Sequence, residues 1–160
     1  MPEFSSSDVV AYILYKGSQE NHRISLTQTQ KLLYCCYGIV MAKFNERLTD
    51  EHPKCWPFGP VFLNTLNDIN NHNIKVKDAV QFIAECPKEW LEWIDRTIKT
   101  FWDYSDRALV KWSIRPRTPW FNADSLAALD DREIGIWFKQ FEEIVWNSSS
   151  RFNTSPGKIH

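Results

Sequence analysis

The chain has 160 residues, 43% of them apolar, with 19 basic against 20 acidic side chains. That length and apolar share suit one domain with a sizeable core, and the near-zero net charge excludes a general polyanion binder, whose affinity rests on clustered Lys and Arg. No run approaches the ~20 apolar residues that span a bilayer, and the start MPEFSSSDVV has neither a basic n-region nor an apolar h-region. A cytoplasmic protein with reduced cysteines, no membrane partner and no nucleic-acid partner is the expectation. Eight tryptophans are the compositional excess. Trp buries a large area yet keeps one N–H donor, so it serves both cores and contact surfaces.

The predicted elements run as follows. Ser7 caps a first helix over 7–15, with Val9, Val10, Ile13 and Leu14 as its apolar stripe. KGSQENHR is a polar loop. Ser25-Leu-Thr-Gln28 fits a capping box, and Leu32, Leu33, Cys36, Tyr37, Val40 and Met41 then recur at helical steps, the best core pattern in the chain. HPKCWPFGPVF (52–62) concentrates prolines and aromatics in a loop. Pro60 suits the first turn of a third helix, where its missing N–H costs nothing, with Phe62, Leu63, Leu66 and Ile69 on one face. IKVKDAV is ambiguous between strand and helix, and a helix over Asp78–Ala84 is favoured. Pro87 opens what is read as the longest helix, carrying Leu91, Ile94, Ile98 and Phe101 on one face. Ser105 caps a short helix reaching Trp112, Pro116 and Pro119 punctuate a loop, and Asp130 to Glu133 resembles another cap. Ile134, Trp137, Phe138, Phe141 and Val145 form one closing helix. The fold class is mainly α: a single compact domain of about seven helices with room for one short strand pair. The domain is expected over 1–146, followed by a polar, aperiodic and mobile tail over 147–160.

Candidate chemistry is sparse. His52 and Cys55 have metal-like spacing, but a structural zinc site needs four ligands, commonly as two close pairs, and only one pair is present. The same two residues write a distant alternative, a cysteine hydrolase, without any third member. There is no Gly-x-Ser-x-Gly and no glycine cluster for phosphate. Asp130/Asp131 and Glu142/Glu143 are explained as helix-start and solvated-face acids. No enzyme activity, no cofactor and no metal are therefore expected. Aromatics beside rigid loop backbone are plausible hot spots, because little order is lost when they bind. The partner-binding set is Trp56, Phe58, Pro60, Val61 and Phe62, with Lys111, Arg115, Arg117 and Trp120 from KWSIRPRTPW.

Three segments in order carry a resemblance: ISLTQTQKLLYCCYGIVMA (24–42), CWPFGPVFLNTLNDI (55–69) and FWDYSDRALVKWSIRPRTPWFNA (101–123). Together they resemble the Panacea, or SocA-like, antitoxin domain of bacteria and phages. Thr27, Gln30-Lys31, Leu32, Leu33 and Tyr34 follow that family's first motif. Trp56-Pro-Phe-Gly-Pro-Val61 follows its second, with Phe58 at the usual tyrosine. Tyr104-Ser105, Leu109 and Pro119-Trp120 follow its third. Trp112-Ser113-Ile114 departs from it, lacking a histidine often found there. The resemblance implies an antitoxin whose partner is a cognate protein toxin, either blocked directly or delivered to a protease such as a ClpXP-type machine. The alternative is a phage-encoded inhibitor or adaptor acting on a host defence or protease component.

Overall fold

The computed structural model describes residues 3–147; of the tail expected over 147–160, Asn147 ends a helical stretch and residues 148–160 lie outside the described residues. In chain order the described elements are α1 (Ser6–Gln19), α2 (Leu26–Phe44), β1 (Lys54–Trp56), β2 (Gly59–Val61), α3 (Leu63–Asn70), α4 (Val76–Glu85), α5 (Lys88–Phe101), α6 (Asp106–Ser113), α7 (Pro119–Asn122) and α8 (Asp131–Lys139). Residues 142–147 are again helical. The architecture is mainly helical, with one small two-stranded sheet in a single compact domain.

The predicted capping box sets α2: Ser25 Oγ accepts the Gln28 N–H, and Gln28 Oε1 accepts the Ser25 N–H. From Thr29 to Met41 every residue of α2 is buried. A helix sheathed on all sides is the centre of its domain. At nineteen residues it is also the longest, so the expectation that α5 is longest is corrected; α5 has 14. Four helices and the hairpin pack around α2. The closest approach is to α8, where a Cβ on Gly38 would lie 2.0 Å from the Phe138 ring. α1 starts one residue earlier than expected, capped by Ser5 instead of Ser7, and runs on to Gln19. It packs on α4 through Tyr12 and Phe82, whose ring centroids lie 5.4 Å apart.

Two further expectations are corrected. The closing helix is broken at residues 140–141, between α8 and the helical stretch 142–147. Pro60 lies in β2, not in a helix; α3 starts at Leu63 with Phe62 as its N-cap. The reason lies in the strand register, where Cys55 faces Pro60. Cys55 spends its N–H on the Ala127 carbonyl (2.8 Å) and its carbonyl on the Leu126 N–H (2.8 Å), on the far side of β1. In an antiparallel ladder the residue opposite then also turns its backbone polar groups outward. A proline without an N–H costs nothing at that position.

Candidate partner-binding site

The outer edge of β2 is satisfied by two side chains of α2. Gln30 mimics a neighbouring strand: its Oε1 accepts the Phe62 N–H at 2.8 Å, and its Nε2 donates to the Phe62 carbonyl at 3.3 Å. Lys31, 2% exposed, donates from Nζ to the Pro60 carbonyl at 3.2 Å. No carboxylate meets this ammonium among the described residues. Burial without a counter-charge pulls its pKa down to about 8. Gly59 lies directly over it. With φ +115° it needs glycine, and a Cβ there would sit 2.6 Å from Ser113 Oγ and 2.9 Å from Lys31 Cε. The first two sequence motifs are therefore halves of one joint between α2 and the hairpin.

That joint presents the two-residue loop between β1 and β2 to solvent. Phe58, at the tip, is 74% exposed. Trp56 and Val61 are half-buried. The Trp56 carbonyl accepts the indole N–H of Trp120 at 2.6 Å, which ties the hairpin to α7. Trp120 is placed by Thr118, which caps α7, and by Pro119 in its first turn. Lys111, Arg115 and Arg117 are exposed on α6 and in the loop after it. Two members leave the predicted set: Pro60 is buried and Phe62 is fully buried beside Tyr37, so neither meets a partner in this conformation. Phe62 belongs to the core because it caps α3 from inside the joint.

The segment 121–126 adds exposed apolar area that sequence reasoning passed over. Phe121 is 55% exposed and Leu126 is 61% exposed. Leu126 also has φ +66°, a region a bulky side chain rarely adopts, yet its N–H is held by Cys55. Neither signal is visible in the sequence, because exposure and a positive φ at these positions depend on how the segment docks against β1.

The structure separates the one pair that suggested metal or nucleophilic chemistry. His52 Nε2 faces Asp131 Oδ2 at 3.3 Å, and Asp131 also accepts from the Tyr37 hydroxyl at 2.5 Å and from Arg47 at 3.3 Å. The Cys55 thiol instead donates to the Trp120 carbonyl at 3.4 Å, and burial raises its pKa, which keeps it a neutral thiol. Cys35 and Cys36 are fully buried and pushed up likewise. Among the described residues no group of three or more His, Cys, Asp and Glu is gathered. None of the described helices is long and apolar enough to cross a membrane.

Fold and site together define a class: a helical domain built around one buried helix, whose side chains lock a short aromatic hairpin at the surface. A family model described as "Antitoxin SocA-like, Panacea domain" matches residues 29–121, more than half of the chain, and the chain belongs to that family. The matched region runs from the buried part of α2 through the hairpin and α6 to α7. No match was found among curated proteins or among solved structures.

Proposed function

We propose that this protein is an antitoxin that neutralises a cognate protein toxin by direct binding, through the hairpin tip and the adjoining 111–126 segment. The antitoxin-like family gives the class of function. The observation that carries the surface is Phe58, a large apolar side chain 74% exposed at the tip of the turn that joins two hydrogen-bonded strands. An exposed aromatic on fixed backbone binds with little ordering cost, and aromatic anchors dominate protein interfaces. Leu126 adds exposed apolar area beside β1, to which its N–H is bonded at Cys55, and its strained backbone is a second reason to look for a role there. Lys111, Arg115 and Arg117 give this face a basic margin that favours an acidic partner and speeds encounter.

The test is growth rescue on co-expression with a neighbouring gene whose product alone arrests growth. Phe58→Ala is expected to weaken binding by about 2 kcal/mol, roughly thirtyfold, while its thermal midpoint stays at the wild-type value. Trp56→Ala is expected to weaken rescue in the same direction. Full protection by both variants, each folded, would rule this surface out. Toxin abundance in the same cells separates the two mechanisms: unchanged abundance supports direct inhibition, and loss of the toxin marks delivery to a protease.

A further inference from the structure

The end of α5, one face of α6, Phe141 and Ile144 enclose a cleft of about 210 Å³. Its walls are rings already packed on one another: Trp112 lies 5.3 Å from Phe101 and 5.5 Å from Phe141, centroid to centroid. Leu109 and Ala108 complete the α6 side. Tyr104 and Ile144 stand at the mouth, each 51% exposed.

The polar groups at this mouth are unbalanced. The Thr100 hydroxyl is spent on the Arg96 carbonyl at 2.7 Å. Three of the acids that flank the lining residues in sequence are engaged elsewhere, and the fourth, the exposed Glu143, does not line the cleft. Asp103 faces His22 at 4.0 Å, Asp106 accepts from Ser25 Oγ at 2.6 Å, and Glu142 faces Lys43 at 3.8 Å. Arg115 lines the cleft, is exposed, and has no ion pair among the described residues. An aromatic-walled cleft with one unmatched guanidinium at its edge suits an apolar group that carries an acid. The volume is below the ~300 Å³ at which pockets for whole small molecules begin, and it is the size for a single anchor residue.

We propose that this cleft seats one aromatic or branched side chain of the protein partner, with an adjacent carboxylate held by Arg115. The protein nature of the occupant rests on the antitoxin reading above; the chemistry of the cleft does not. α6 carries both surfaces, since Ser113 packs under the hairpin at Gly59 while Trp112 walls the cleft.

The experiment has two arms. The first is an NMR titration of amide shifts with phenylacetate and with its neutral counterpart phenylacetamide. Saturable shifts centred on Phe101, Leu109 and Trp112 are expected. Affinity should fall about tenfold for phenylacetamide, and about tenfold for phenylacetate on Arg115→Gln. Ala108→Leu, which fills the cleft, should remove the shifts while thermal unfolding shows the variant folded. Absence of saturable shifts, or equal affinity for the acid and the amide, overturns the proposal. The second arm is co-expression rescue, where Arg115→Gln and Ala108→Leu are expected to protect less well than wild type. If both lose phenylacetate yet protect fully, the cleft is not the partner's seat and the inference falls. Failure of the wild type itself to protect sinks the antitoxin reading instead, and leaves the cleft's chemistry to be judged by the titration.

Discussion

Lys31 shows how one side chain couples motif to surface. The residue is 2% exposed and its pKa is pulled down to about 8, against 10.5 in water. Below pH 8 the folded state carries the full cost of a buried charge. Between pH 8 and 10.5 the unfolded chain binds more protons than the folded one, so this lysine's contribution rises with pH, by up to about 3 kcal/mol. Denaturant titrations of wild type and Lys31→Met at both ends of that window isolate it. The wild-type stability minus the variant stability is expected to increase with pH, and a difference flat across pH would show that the charge is already matched. Gln30 makes the complementary case. Gln30→Ala leaves the buried Phe62 N–H unpaired, while the Phe62 carbonyl keeps the Leu66 N–H at 3.1 Å, an expected loss of about 1–3 kcal/mol. Its unfolding midpoint checks this, and a loss near zero would mean that water replaces the amide.

Helix packing sets the next constraint. α2 and α8 meet where Gly38 admits the Phe138 ring, which is itself fully buried and edge-on to Tyr34 at 5.2 Å. Gly38→Ala forces that ring out of its place and is expected to cost about 3 kcal/mol or more. Gly135, on α8, is the control, because the tightest contact of a Cβ there is Met41 Cγ at 3.2 Å, with the Met41 backbone at an ordinary 3.7 Å. A flexible methionine yields, and alanine gains up to about 1 kcal/mol of helix propensity, so Gly135→Ala should stay within about 1 kcal/mol of wild type. Chemical denaturation of both distinguishes close packing from a general intolerance of alanine. The same packing explains why periodicity found α5, which presents an apolar stripe to α2, while the shorter run in α4 read as ambiguous between strand and helix. The hairpin has no such stripe. Its three-residue strands are too short for an alternating pattern, and they exist because Gln30, Lys31 and residues 126–129 supply partners from elsewhere in the chain.

For the whole molecule, the end of the helical array matters most. The Arg96 guanidinium lies 3.7 Å over the Trp146 ring and donates to its carbonyl at 2.6 Å, while Val145 is fully buried. If residues 1–146 are the domain, a chain cut after Trp146 keeps the full-length unfolding midpoint. A chain cut after Gln140 removes Val145 and the Trp146 contact and should lose several kcal/mol. Thermal unfolding of the two truncations tests the boundary, and equal midpoints would place it earlier than residue 141.

The sequence by itself determined the mainly helical class, the capping box at Ser25, the buried face of α2 and the family, because these follow from local hydrogen bonding, apolar period and ordered motifs. Only the tertiary structure decided that Pro60 sits in a strand and that Gln30 and Lys31 hold the hairpin. It also decided that Phe62 turns inward while Phe58 turns outward, and that His52 and Cys55 face different partners. Each depends on a contact between residues far apart in the chain, such as Phe62 with Gln30 or Trp56 with Trp120. No local rule of spacing or propensity encodes which of two neighbouring aromatics finds the core.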